Sequence, residues 1–304
     1  MGHLDGKVAI VTGGAGGMGS WVCRTFAEQG AKVIVVDTGA DVEGRTGLDP
    51  APVEAVANLI ADTGGEAIAA VGDIAQLEFA ESTVQTALDT YGDLDIVVCA
   101  HGILREAMVF NMSEGDWDEV LRVHLKGCFA ITKFAAVYWR ANREKGNRRL
   151  IYFSSSAGIR GEGGQPNYSA AHAAKIGLSL SNAEALGSYG VTSNCISPGA
   201  STRMTDRGRN VDRGAEPPSL SAAGTRMDPN NVVPAIVYLA SDESAELTGR
   251  TVGVTGHTVS IWKEPEWVAA IYSETPYWDI DELFEVMPRT LVATGVGPPP
   301  RQFP

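Results

Sequence analysis

Long apolar runs are missing from this 304-residue sequence: no stretch reaches the ~18 consecutive apolar residues of a membrane-spanning helix. The opening "MGHLDGKVAIVTGG" also lacks the basic lead, apolar stretch and small-residue cleavage site of a secretory leader, so a cytoplasmic location is expected. Positive charge is scarce. Against 37 Asp and Glu stand 24 Lys and Arg, a net charge of -13, which argues against a nucleic-acid partner or an anionic membrane surface, since both need a basic face. Any phosphate-bearing ligand must be met by local features. Cysteine is sparse too: Cys23, Cys99, Cys128 and Cys195 lie tens of residues apart, without the close pairing of zinc or redox motifs. Buried reduced thiols are expected, and no metal is assigned. No internal repeat or low-complexity tract is present.

What is present is a 44% hydrophobic composition, ample for a large core. Seven short β-branched runs, "KVAIVTG", "AKVIVVD", "EAIAAVGD", "LDIVVCA", "RLIYFSS", "VTSNCISPG" and "TVGVTG", read as buried strands. Between them, segments such as 17–30, 75–91, 116–140, 166–187 and 229–241 carry helical spacing. This alternation predicts an α/β fold, a doubly wound, Rossmann-type seven-stranded parallel sheet in a single domain over 5–260. Three stretches break the rhythm. Residues 38–52 form a polar Gly/Pro-rich loop after the second strand, and 201–226 reads as a mobile lid, extending to about 228. The tail, 261–304, belongs to no strand–helix repeat and is expected to pack on the domain or on a neighbouring subunit.

"VTGGAGGMG" follows the first strand and opens a helix. Small residues there let the backbone approach a pyrophosphate, whose charge the helix N-terminus meets. Two glycine templates fit, Gly14-x-Gly16-x-x-Gly19 and Gly13-x-x-x-Gly17-x-Gly19, with Ala15 and Met18 in the same turn. Asp37 ends the second strand, 24 residues after Gly13, where a carboxylate can accept from the adenosine ribose hydroxyls and repel an extra phosphate. NAD is therefore expected over NADP. Asp73 and Ile74 end the third strand, where Asp73 can face the adenine or simply shape a turn.

With "TGGAGGMG", Asp37, "CAHG", "SSSAGIRGEGGQPNYSAAH" and "SPG" in order, the chain resembles the short-chain dehydrogenase/reductase family over about residues 5–260. Within that family, "ILREAMVFNMSEGDWDEVLRVHLKGCF", "GQPNYSAA" and "GASTRMT" resemble the (3R)-hydroxyacyl-CoA dehydrogenase part of the type 2 peroxisomal multifunctional enzymes. The resemblance implies a serine and a tyrosine that hold the substrate oxygen, here Ser155 and Tyr168, with Tyr168 exchanging the proton. It also implies contacts to the cofactor from Ala100, His101 and Gly102, and from Pro198, Gly199 and Ser201. The expected substrate is a (3R)-3-hydroxyacyl-CoA or its 3-oxo partner, and the expected assembly a homodimer or homotetramer.

Three positions depart from the family pattern. His172 stands where the family has the lysine that binds the nicotinamide ribose and lowers the tyrosine pKa; imidazole, with a reference pKa near 6.5, activates the tyrosine less. Lys175 lies seven residues past Tyr168, roughly 10 Å of helical rise, and is not expected to substitute. His124 occupies the family's helix-asparagine position, and "CAHG" replaces "NNAG". The resemblance gathers His101, His124 and His172 around one site. A relay or ribose contact, satisfied core histidines, and a three-imidazole metal site are all open readings. Arg203, Arg207, Arg209 and Arg213 in the lid suit an anionic thioester or serve only solubility. The rival to an enzyme is an NAD-binding sensor or scaffold whose chemistry was lost with the lysine.

Overall fold

In a parallel sheet covered on both faces, strands read as continuous apolar runs. All seven such runs form strands in the computed structural model, which describes residues 2–207, 217–263 and 265–294. They are β1 (Val8–Thr12), β2 (Lys32–Asp37), β3 (Glu66–Val71), β4 (Ile96–Cys99), β5 (Arg148–Phe153), β6 (Val191–Gly199) and β7 (Thr251–Thr255). The sheet is nonetheless eight-stranded, in the order β3-β2-β1-β4-β5-β6-β7-β8. The added strand, β8 (Thr258–Ile261), folds back antiparallel on β7, pairing Thr255 with Thr258 around Gly256 and His257. Gly256 takes φ +56, the left-handed region a two-residue hairpin needs. All four β8 residues are exposed, so this edge strand carries no buried apolar run to announce it.

Helices cover both faces. On one side, α1 (Gly17–Glu28), α2 (Pro50–Asp62) and α8 (Val233–Ala240) bury Phe26, Val53 and Ile236 against Val33 and Val35. On the other side stand α3 (Leu77–Tyr91), α5 (Gly127–Ala141) and α7 (Pro166–Leu186). There Trp139 is buried and donates from its indole to the Leu94 carbonyl at 2.7 Å. The loop expected over 38–52 ends at Asp49, which caps α2; Pro50 and Pro52 sit in the first turn, where proline's missing N–H costs nothing.

The helix expected over 116–140 runs without interruption from 114 to 141 but carries a π-turn inside it. Between α4 (Glu114–Leu121) and α5 the chain makes a π-helical turn, Arg122–Lys126, and its extra residue changes the phase at which His124 is presented. A short helix, α6 (Ser156–Arg160), follows β5.

Because β1 lies between β2 and β4, the strand order reverses there, and Thr12 pairs with both Val36 and Cys99. The carboxyl ends of these strands therefore open together on one crevice, the usual ligand position in such sheets.

Residues Met1–Trp262 form one compact unit, so Ile261 and Trp262 belong with the sheet rather than the tail. Lys263–Pro304 form a second unit, whose described residues include α9 (Ile280–Val286), capped by the Asp279 carboxylate. No helix among the described residues is long and apolar enough to cross a membrane.

Candidate functional site

At the crevice the chain encloses a cavity of about 580 Å³, a size that holds a cofactor-sized ligand. Its first wall is the glycine turn between β1 and α1. Gly13 takes φ +73, and a Cβ there would lie 2.5 Å from the His101 nitrogen. A Cβ on Gly19 would lie 2.0 Å from the Gly13 carbonyl oxygen. α1 starts after Gly16 without a side-chain cap, leaving its first N–H groups for an anion. Asp37 reaches across the turn: its carboxylate accepts from the backbone N–H of Ala15 and of Gly39, each at 3.0 Å. Ala15, Gly16, Gly17 and Met18 line the cavity with it. Side-chain-free backbone, uncapped N–H groups and a strand-end carboxylate together fit a dinucleotide's pyrophosphate and ribose.

The residues after Asp37 lie along this cleft and are tied across it. Leu104 donates its N–H to the Val42 carbonyl at 2.9 Å, and Arg105 donates from Nε to the Glu43 carbonyl at 2.8 Å. Further along, Asp73 caps its own turn by accepting from Ala75 and pairs with Arg122 at 2.7 Å, while Ile74 lines the wall beside it. Glu119 holds Arg122 from the other side at 2.7 Å. Arg122 and Glu119 carry no motif signal in the sequence, yet both line the cavity, at the junction of α4 and the π-turn.

The second wall holds the hydroxyls and imidazoles. Of the three consecutive serines, Ser154 is buried and spends its hydroxyl on the His172 carbonyl at 3.1 Å, and Ser156 is exposed. Ser155 caps α6, accepting from the Ala157 N–H at 3.2 Å, and its side chain meets Tyr168. Burial pushes the Tyr168 phenol up to about 12, against which the Ser155 hydrogen bond pulls down. The phenol oxygen also lies 3.9 Å from the Met204 sulfur.

His172 is buried, and neither ring nitrogen finds a hydrogen-bond partner among the described residues. Its ring lies 4.1 Å from the Tyr168 ring, centroid to centroid, and 4.7 Å from that of His124. His124 stands edge-on to Tyr168 at 5.1 Å, in space that a Cβ on Gly102 would occupy. Burial, followed by the nearby Lys175 charge, holds both imidazoles well below their usual pKa, so both are neutral.

His101, His124 and His172 all line this cavity. The His101 ring is held by its own partners: its Nδ1 bonds the Thr12 hydroxyl, and its Nε2 lies 3.8 Å from the Cys128 sulfur. No cluster of three imidazoles with metal-binding geometry occurs among the described residues. All four cysteines are free and buried, as expected, and Cys99 and Cys128 share the His101 neighbourhood. Lys175, not expected to take the family lysine's place, is nonetheless fully buried and lines the cavity. It donates to His124 Nδ1 at 3.1 Å and to the Phe153 carbonyl at 3.0 Å. Seven residues make about two helical turns, so Lys175 shares the stripe of Tyr168 and His172, and helical side chains lean back toward the N-terminus. Counting rise alone missed that reach.

At the end of β6, Pro198 lines the cavity and Gly199 abuts Thr255, and just beyond it Ser201 is buried with its N–H on the Met227 carbonyl at 2.8 Å. Thr202, Arg203 and Met204 complete the lining. Asp206 accepts from the N–H and the hydroxyl of Ser219, tying the two described parts of the 201–228 segment together. Arg209 and Arg213 fall outside the described residues.

Comparison with known proteins agrees with this geometry. The family profile described as short chain dehydrogenase matches residues 7–213. A Mycobacterium tuberculosis protein named hydroxyacyl-CoA dehydrogenase ChsB1 is 39% identical over 92% of this chain and 87% of its own. The mouse peroxisomal multifunctional enzyme type 2 is 36% identical over 81% of this chain but only 31% of its own length. A crystal structure of a short chain dehydrogenase from Mycobacterium avium superposes with a TM-score of 0.82 at 38% identity, covering 96% of each chain.

Proposed function

The chain belongs to the short-chain dehydrogenase/reductase family and is an oxidoreductase using a nicotinamide cofactor; from that premise we propose that it is NAD-dependent and interconverts a (3R)-3-hydroxyacyl-CoA with its 3-oxo partner. The observation that carries the reading is the Tyr168 phenol, with Ser155 beside it, in one cavity with the glycine turn and Asp37. In oxidation, the Tyr168 phenolate takes the substrate hydroxyl proton while the Ser155 hydroxyl donates to the same oxygen; in reduction the proton moves the other way. When bound, the nicotinamide supplies the hydride acceptor or donor. His172, with two unpartnered ring nitrogens, is the group to hold the nicotinamide ribose hydroxyls, and His124 braces the ring behind it. Gly13, Gly16 and Gly17 would hold the pyrophosphate, and Ala100, Gly102 and Pro198 line the remaining length of the cavity.

Asp37 supports NAD over NADP, because its carboxylate stands where an added phosphate would sit against like charge. Replacing Asp37 by Asn should shift the NAD/NADP ratio of kcat/KM toward NADP by about tenfold, roughly 1.4 kcal/mol. The ratio isolates the charge even if both cofactors weaken when the Ala15 contact changes. An unchanged ratio would remove Asp37 as the discriminator.

The acyl-CoA part of the reading is supported by the hydroxyacyl-CoA dehydrogenase named in Mycobacterium tuberculosis and by exposed Arg203 at the cavity. A panel of (3R)- and (3S)-3-hydroxyacyl-CoA thioesters against simple secondary alcohols tests it: turnover of the alcohols alone would sink it. Exposed Phe129 and Val137 on α5 and Leu180 on α7 support pairing of these helices between subunits, which light scattering reads directly.

A further inference from the structure

Lys175 is unusual on physical grounds alone. A lysine with no exposed surface is rare unless its charge has a use. Its two partners, the His124 imidazole and the Phe153 carbonyl, are both neutral.

The hydrogen-bond chemistry fixes what the contact does. An ammonium has only donors, so His124 Nδ1 accepts from it and the ring proton sits on Nε2. That nitrogen lies 2.7 Å from the Ile103 carbonyl oxygen and 3.1 Å from the Ile103 N–H, and in the Nε2–H form it donates to the nearer carbonyl. Lys175 thus selects one tautomer of a ring that stands edge-on to Tyr168 and packs on His172.

We propose that Lys175 is the fixed positive charge of this site and a positioning residue, holding His124 in its Nε2–H form and acting on Tyr168 through that ring. The inference rests on Tyr168 being the proton-transfer group. Around the Lys175 ammonium the titratable groups are His124 from the π-turn, His172 from α7, His101 and Cys99 from the end of β4, Cys128 from α5 and Cys195 from β6. None is a carboxylate; the acidic group the ammonium meets is the Cys128 thiol, which burial pushes up but which hydrogen bonding with Cys99 and the Lys175 charge hold well below its usual range. The ammonium keeps protons off both imidazoles and, through the His124 ring, favours the Tyr168 phenolate. The charge enters from one turn beyond His172, and its route to the phenol runs through the His124 ring.

The test compares the full-length native protein with Lys175→Met and with the double variant His172→Lys/Lys175→Met, which returns a charge one turn earlier. Three readouts are taken: melting temperature, the nitrogen NMR signals of the His124 ring, and the pH profile of kcat for alcohol oxidation. Lys175→Met should melt at or above the native temperature, because a desolvated charge has been removed. Its His124 ring should lose the single Nε2–H form. The alkaline limb of kcat should move up by about one pH unit, with about a tenfold loss at neutral pH and KM within about twofold; the double variant should recover most of this. An active Lys175→Met with an unmoved limb and unchanged His124 signals would overturn the proposal. So would a lowered melting temperature with no recovery in the double variant, the mark of a merely structural lysine. Should the native protein turn over no alcohol, the dehydrogenase reading fails by itself, and the His124 signals still decide whether Lys175 sets the ring's state.

Discussion

Replacing Tyr168 by Phe should lower kcat by about 10³-fold while cofactor affinity stays within about twofold, within the usual range for loss of a general acid–base group. Phenylalanine keeps the ring contacts to His124 and His172 and removes only the phenol oxygen that Ser155 meets. Steady-state kinetics paired with a cofactor-binding titration checks both halves. Retention of more than about a tenth of the native rate would place the proton transfer elsewhere. The native pH dependence follows from the same oxygen. Oxidation needs the phenolate, and burial has raised the phenol to about 12, so the rate should climb through the alkaline range. His124 and His172 are neutral throughout that range and contribute no limb near the ordinary histidine pKa.

The second large effect lies at the other end of the cavity. Gly19→Ala should weaken NAD binding by about 100-fold, roughly 2.7 kcal/mol. Its Cβ would press on the Gly13 carbonyl oxygen at 2.0 Å and on the Gly13 carbonyl carbon at 2.8 Å. Both are backbone atoms of the turn itself, and the turn cannot yield without opening. Gly115→Ala, at an exposed position of α4 outside the cavity, is the control, since its Cβ would meet nothing within 4 Å. Calorimetric titration of the two variants should rank them in that order; equal affinities would mean that the glycine turn does not carry the cofactor.

Most of the fold was legible because a parallel sheet buried on both faces leaves an unmistakable apolar run for every strand. β8 was not, since an exposed edge strand needs no such run. The π-turn at 122–126 was equally hidden: one extra residue leaves the helical pattern almost intact yet alters where His124 points. At the site, Ser155, Tyr168, His172 and the glycine turn could be placed because their roles depend on sequence spacing. The partners of the His101 ring could not. Cys99 and His101 are two apart at a strand end, so both face the α5 side, where Cys128 and not His172 is the neighbour. Lys175 was misjudged because its place depends on side-chain direction and on a partner, His124, more than 50 residues away in sequence. Arg122 and Glu119 depend in the same way on long-range packing.

The central claim is that a tyrosine without a lysine one turn away still drives hydride transfer in this cavity. It is tested most directly by following NADH formation from a (3R)-3-hydroxyacyl-CoA by the native chain, at saturating NAD, from mildly acidic to alkaline pH. The account predicts turnover that rises steadily toward alkaline pH with no step at the histidine pKa. NAD binding without turnover at any pH, on this thioester, its (3S) isomer or a simple secondary alcohol, would contradict it and leave a nucleotide-binding protein whose chemistry is silent.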